Sequence, residues 1–157
     1  MQIIIHEISE IVDDYGTKIS IIPTQELLAK PNPAKWSKIE VLGHLIDSAQ
    51  NNLRRFICGQ YESPPPNIVY NQDFWVIANN YSTANPENII QLWRLLNERI
   101  CHILKVMPLA NYAKECNSGK ETPQLHSLYW YAEDYVKHLK HHLNQIIPGS
   151  FDIVYKQ

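Results

Sequence analysis

The chain has 157 residues, of which 45% are apolar and 19% charged, so it has the composition of a folded globular protein. The formal net charge of −2 leaves no basic excess for neutralising phosphates, and no apolar run approaches the roughly 20 residues that span a bilayer. The sequence therefore predicts a protein that binds neither nucleic acid nor membrane. The first residues lack the basic lead and apolar core of a signal peptide, so a cytoplasmic location is expected.

The first half of the chain predicts two long helical segments joined by a stiff loop. Apolar residues recur at helical spacing over residues 3–28, with a break at Pro23 and Thr24 as the N-cap of a short continuation. A second long helix is predicted to start at Ser37, because Ser37 and Glu40 have the spacing of a capping box. Gly59 is its predicted end.

The second half predicts two further long helices. Residues 60–70 are too rich in proline for a helix interior, and a short helix is expected over residues 73–80. Asn85 and Pro86 suit the start of the third long helix, which Pro108 ends. Residues 112–119 fit either a hairpin or an irregular loop. Thr122 and Pro123 then fit the start of the last helix, which runs to about residue 147.

Four long helices joined by medium loops predict an all-α fold, a four-helix bundle. No linker or internal repeat divides the sequence, so residues 1–157 are expected to form one domain. The apolar side chains of residues 150–157 favour docking of this tail on the bundle. The three cysteines, Cys58, Cys101 and Cys116, lie far apart, which argues against a disulfide framework or a thiolate zinc site.

The last predicted helix carries four of the seven histidines, and three of them lie within residues 138–142. His138 and His142 are four residues apart and share one helix face, which is the spacing of helix-borne metal ligands. At roughly 100° per residue, both lie nearer to the apolar face than His141, which is expected to meet solvent. That face is defined by Leu125, Leu128, Ala132, Leu139, Leu143 and Ile146. A histidine-rich exposed helix end is the alternative interpretation, and a metal site needs a third ligand from another helix.

The second long helix offers His44 as that third ligand. His44 lies on a polar strip with Asp47, Ser48, Asn51 and Arg55, opposite the apolar stripe of its helix. The strip either meets solvent or lines a polar cavity between helices. Helical periodicity does not separate these two possibilities.

Three runs of sequence resemble the DinB-like superfamily in the same order along the chain. Residues 36–56 (WSKIEVLGHLIDSAQNNLRRF) resemble its second helix, residues 70–76 (YNQDFWV) the segment after the following loop, and residues 133–143 (EDYVKHLKHHL) its closing helix. The resemblance implies a four-helix bundle with a three-histidine metal site. Carried over to this sequence, the ligands are His44, His138 and His142.

The resemblance also frames the expected function. Three imidazoles leave a divalent ion with an open position, with zinc as the first choice and nickel as the second. DinB-like proteins include thiol S-transferases, thiol-dependent isomerases and proteins named as metal-dependent hydrolases. A small-molecule substrate, such as a low-molecular-weight thiol, and a homodimer are the expectations by analogy. Whether the chain is an enzyme stays open, since the alternative is a stress-response or small-molecule-binding module whose metal is structural or absent.

Three residues are candidates for a general base near such a metal, namely Asp47, Asp73 and Tyr135. Asp73 has a simpler interpretation as part of a helix start followed by aromatic core residues. Arg55 and Asn51 could orient an anionic ligand, although exposed surface positions are the default for both. No phosphate-binding glycine loop and no nucleophile motif is present.

Overall fold

Four long helices form the frame of residues 1–155, the part of the chain that the computed structural model describes. They are α1 (Gln2–Ser20), α3 (Lys38–Cys58), α5 (Pro86–Val106) and α6 (Leu128–Ile146). The connections contain the short helices α2 (Thr24–Leu28) and α4 (Gln72–Asn79) and the 3₁₀ turns Tyr81–Thr83 and Leu109–Asn111. Strands β1 (Glu115–Asn117) and β2 (Leu125–Ser127) form a small antiparallel pair. The predicted four-helix bundle is confirmed.

The long helices pack so that α3 and α6 are direct neighbours. Helix α3 contacts α5 and α6, and α1 contacts the same two helices from the other side. The order around the bundle is therefore α1, α5, α3, α6, with α1 diagonally opposite α3. This arrangement places the helix that carries His44 against the helix that carries His138 and His142.

The start of α3 is fixed by the predicted capping box. The Glu40 backbone N–H donates to Ser37 Oγ, and the Ser37 backbone N–H donates to Glu40 Oε2 at 2.7 Å. An ion pair of 2.9 Å between Lys30 and Glu40 ties the preceding loop to the same point. Asn85 caps α5 as predicted, with Oδ1 accepting from the Glu87 backbone N–H. The prediction of Thr24 as a cap is wrong by one residue, since Pro23 occupies the cap position.

Helix α6 begins later than the sequence predicts. Residues 115–127 form a hairpin in which Cys116 pairs with His126, so the backbone of residues 125–127 bonds to β1 instead of forming a helical turn. Ser127, not Thr122, caps the helix, and its Oγ accepts from the Trp130 backbone N–H at 3.1 Å. Leu125 consequently lies outside the helix and is 47% exposed, which corrects its assignment to the core face.

The core lies between the four helices and continues under the tail. Its largest fully buried side chains are Trp93, Tyr135 and Phe56. The tail docks as expected through Phe151, whose backbone exchanges two hydrogen bonds with the Asn144 side chain, both of 2.8 Å. Residues 156–157 of the tail lie outside the described residues. Within residues 1–155, no helix is both long and apolar enough to cross a membrane.

Candidate metal centre

Helix α3 turns its polar strip into the bundle. His44, Asp47 and Asn51 are fully buried and Ser48 is nearly so. The sequence left open whether this strip meets solvent or lies between the helices. The structure shows that it lies between the helices. Asn51 is therefore not a surface residue, and Arg55 is half-buried.

Helix α6 presents His138 and His142 toward α3. The predicted orientation of His142 is confirmed, since only 4% of its side chain is exposed. His138 is half-buried and lies at the edge of a pocket. His141 is also half-buried and is not part of the cluster that the other histidines form.

Three imidazoles meet between the two helices. His44 Nε2 lies 3.1 Å from His138 Nε2, and one nitrogen from each of His44, His138 and His142 falls within 4.8 Å of the others. The ring centroids are 4.4 to 5.1 Å apart. This is the group of His, Cys, Asp and Glu side chains among the described residues that has the geometry to hold a metal ion.

The environment keeps all three rings neutral near pH 7. Burial lowers the pKa of His44 to about 4, with a smaller contribution from the neighbouring His141. Burial and then the proximity of His44 lower the pKa of His142 to about 3. The pKa of His138 lies well below its ordinary value for the same reasons, burial first and His142 next. Neutral imidazole is the form that binds metals.

The donor geometry fits a tetrahedral ion such as zinc. Zn–N bonds of about 2.0–2.1 Å at tetrahedral angles place two nitrogen ligands about 3.3 Å apart. The His44–His138 separation of 3.1 Å is close to that value, and a separation at the 4.8 Å limit would have to shorten by about 1.5 Å to reach it. His44 Nδ1 is buried without a hydrogen-bond partner, so the Nε2 contact with His138 and the packing of the ring against His142 and Trp36, at centroid distances of 4.5 and 5.1 Å, orient it.

The far nitrogens of the other two rings face hydrogen-bonding side chains. His138 Nδ1 lies 3.4 Å from Ser48 Oγ, and His142 Nδ1 lies 3.3 Å from Gln145 Oε1. The Nε2 atom of His138 faces His44 Nε2 at 3.1 Å. The sequence prediction missed Gln145, and it placed Ser48 on the polar strip without a role. The available signal in the sequence was the spacing of each residue. Ser48 lies four residues after His44, and Gln145 lies three residues after His142.

A polar pocket of about 550 Å³ opens beside His138. Arg55 is held in its wall by three contacts. One Nη donates to Asn52 Oδ1 at 3.2 Å, the other donates to the Ile68 carbonyl at 2.8 Å, and the guanidinium lies over the Tyr131 ring. Among the described residues no carboxylate forms an ion pair with it. The pocket therefore contains a positive group in a fixed position.

The three candidate bases occupy different places. Asp73 is exposed at the rim of the pocket, and Tyr135 lines its inner wall, where its hydroxyl donates to Asn97 Oδ1 at 2.7 Å. Asp47 is buried away from the pocket lining. Its Oδ1 accepts from Tyr81 at 2.6 Å and from Asn79 at 3.0 Å. Asp47 therefore anchors the segment after α4 to α3.

Asp134 is a pocket residue that the sequence prediction missed. It lies on α6 four residues before His138 and lines the same pocket. Burial raises the pKa of its carboxyl above the ordinary value, and a hydrogen bond of 3.1 Å from the Tyr155 hydroxyl opposes that rise. The spacing of four residues from His138 was the available signal in the sequence.

Replacing Asp47 by asparagine should change how stability depends on pH. Burial raises the pKa of Asp47 to about 6, so the folded state takes up a proton that the unfolded state lacks between about pH 4 and pH 6. The contribution of Asp47 to stability is therefore greatest at low pH and is lost as the pH rises through 6. Asparagine keeps the acceptor for Tyr81 and Asn79 without this titration.

We expect the free energy of unfolding of Asp47→Asn, relative to the unmodified protein, to rise by about 1–3 kcal/mol between about pH 4 and pH 7. Urea unfolding of the two metal-free proteins across this range measures it. A difference between the two proteins that does not vary with pH would contradict this account of the buried carboxyl.

A protein-family model agrees with the resemblance seen in the sequence. The DinB superfamily model matches residues 17–146, which include α3, α6 and all three clustered histidines. The chain belongs to the DinB superfamily. No curated protein matches the sequence.

Solved structures share the DinB fold with this chain at low sequence identity. YfiT from Bacillus subtilis, described as a probable metal-dependent hydrolase with an unusual four-helix bundle topology, superposes with a TM-score of 0.83 at 21% identity, over 92% of this chain and 82% of that one. A mycothiol-dependent maleylpyruvate isomerase gives a TM-score of 0.73 at 10% identity, over 90% of this chain and 59% of that one. A histidine-to-alanine mutant of the isomerase gives 0.70 at 11% identity, with the same coverage. These likenesses show the fold.

Proposed function

We propose that this DinB superfamily protein binds one divalent metal ion through His44, His138 and His142. The observation that carries the proposal is the convergence of three neutral imidazoles from two adjacent helices, with nitrogens within 4.8 Å of one another. Zinc is the first choice and nickel the second, because imidazole suits both ions.

We further propose that the metal-bound protein is an enzyme acting on a small polar molecule. Three protein nitrogens leave a divalent ion with an open position, which is the arrangement of catalytic sites. When bound, such an ion lowers the pKa of a water molecule or binds a thiolate. The 550 Å³ pocket that His138 borders gives a small molecule room beside the ion.

The pocket residues supply binding and proton transfer in this proposal. Arg55 and Tyr135, which form part of the pocket wall, hold and orient the substrate. Asp134 is the proposed proton-transfer group, because its raised pKa favours uptake of a proton and it lies in the same pocket as His138. Asp73 at the rim is the second choice. Asp47 supports the pocket indirectly, because it holds Asn79 at the end of α4, the helix whose first residues Gln72 and Asp73 line the pocket.

A low-molecular-weight thiol is the proposed co-substrate, and hydrolysis is the second candidate reaction. The thiol is supported by the mycothiol dependence of the isomerase that shares this fold, and hydrolysis by the description of YfiT. Titrating cobalt-loaded protein with cysteine, as a probe thiol, tests the first. We expect a saturable thiolate-to-metal absorption band that His138→Ala lacks. Absence of the band, with metal-dependent cleavage of an activated ester, would favour the hydrolase, and absence of both would refute the enzyme proposal.

Removing the metal should leave the bundle folded. The core is built from apolar faces of all four long helices and does not depend on the three histidines for its packing. We expect far-ultraviolet circular dichroism at 25 °C to be unchanged by a chelator, with only a lower melting temperature because a ligand of the native state is lost. Unfolding on chelation would instead assign the metal a structural role.

A further inference from the structure

One side of α3 carries a continuous row of hydrogen bonds from the pocket to the metal cluster. Arg55 donates to Asn52 Oδ1 at 3.2 Å, and Asn52 Nδ2 lies 3.3 Å from Ser48 Oγ. Ser48 Oγ in turn lies 3.4 Å from His138 Nδ1. The residues at positions 44, 48, 52 and 55 share one helix face because their spacings are four, four and three. Arg55, Asn52 and Ser48 are therefore fixed relative to one another by one helix, and the last contact of the row crosses to His138 on α6.

The contacts of Ser48 Oγ favour one tautomer of His138. Asn52 Nδ2 donates to Ser48 Oγ at 3.3 Å, and the same oxygen lies 3.4 Å from His138 Nδ1. A hydroxyl oxygen has two lone pairs, so Ser48 Oγ can accept from Asn52 and from His138 Nδ1–H together. His138 then carries its proton on Nδ1 and its lone pair on Nε2, the atom that faces His44 at 3.1 Å.

From this geometry we infer that Ser48 is a positioning residue, which together with Asn52 fixes the ring and tautomer of His138 so that Nε2 points at the metal. The inference rests on the proposed function, since it assigns a role toward the ion. It adds a residue that acts on the ion site through His138. Partners of the outer nitrogen of a ligating histidine typically change metal affinity by about 10- to 100-fold.

The chain offers a matched control on the same helix. Asn51 and Asn52 are both buried, and each donates from its side chain to the carbonyl oxygen four residues earlier, Asp47 and Ser48 respectively. Only Asn52 also bonds to Ser48 Oγ. Comparing Asn52→Ala with Asn51→Ala therefore separates the loss of the Ser48 and Arg55 contacts of Asn52 from the general cost of removing a buried asparagine.

The test measures zinc affinity by competition with a chromophoric chelator, for the unmodified protein and three variants. We expect a loss of about 10- to 100-fold for Ser48→Ala, a smaller loss for Asn52→Ala, and a change below about twofold for Asn51→Ala. Equal affinity of Ser48→Ala and the unmodified protein would overturn the inference. So would a loss in Asn51→Ala as large as that in Asn52→Ala.

Nitrogen-15 NMR of the histidine rings in metal-free protein gives a second readout that does not need activity. We expect His138 in the unmodified protein to be protonated at Nδ1, and this preference to be lost or weakened in Ser48→Ala and Asn52→Ala. Protonation of His138 at Nε2 in the unmodified protein would overturn the inference even if metal binds. If the unmodified protein binds no zinc, the proposed function fails, while the NMR result still decides the role of Ser48.

Discussion

His138→Ala is expected to abolish metal binding at physiological concentrations, with affinity falling by more than about 100-fold. The ring of His138 lies between the other two ligands and the pocket, and its Nε2 is 3.1 Å from His44 Nε2. Two remaining imidazoles would hold an ion far less tightly than three. Zinc titration of tag-free protein, with bound metal measured after dialysis, gives the result.

The control for this prediction is His141→Ala. His141 lies on the same helix, one residue before His142, but outside the three-nitrogen cluster. We expect this variant to keep its affinity within about threefold, the size of an indirect effect. Loss of metal in His141→Ala, with retention in His138→Ala, would assign the site to a different histidine pair. The geometric choice made from the sequence would then be wrong.

Gly43→Ala is expected to destabilise the fold strongly. A Cβ at position 43 would lie 2.0 Å from Cδ2 of Tyr81, a buried ring that also donates to Asp47. Helix α3 has no room to move at this point, because Leu42 and His44 on either side are fully buried. Overpacking of this kind costs about 1–3 kcal/mol and occasionally more. Urea denaturation of metal-free protein measures the loss.

The mechanism of that loss is tested by a second substitution. If the clash with the Tyr81 ring is the cause, Gly43→Ala combined with Tyr81→Ala should cost less than the sum of the two single changes. Strict additivity would show that the loss has another origin, such as a change in the backbone of α3. Because Gly43 adjoins His44, we also expect the single variant to bind zinc more weakly than the unmodified protein.

Much of the fold follows from local signals in the sequence. The start of α3 is set by the side chains of Ser37 and Glu40, and the start of α5 by Asn85, so short-range patterns were sufficient. The start of α6 was not predictable in this way. Residues 125–127 pair with β1, which lies about ten residues earlier in the chain. The apolar spacing within residues 125–127 does not show that this partner strand exists.

The candidate site, too, was predictable only where the geometry of a single helix determines it. The relation between His138 and His142 is contained within one helix, so helical geometry predicts it. The inward direction of His44 depends on which helix packs against α3, a tertiary fact that periodicity does not contain. The same limit explains why Asp134 was missed and why Asp47 was considered for catalysis. Only the packing shows that Asp134 faces the pocket and that Asp47 is engaged with Tyr81.

The most direct test of the metal site is a crystal structure of tag-free protein soaked or purified with zinc, with anomalous data collected on both sides of the zinc absorption edge. We expect one strong anomalous peak between α3 and α6, at about 2.0–2.1 Å from a nitrogen of each of His44, His138 and His142, with a further position open toward the pocket. A map with no peak between the three rings, or with zinc held by other side chains, would contradict the three-histidine site.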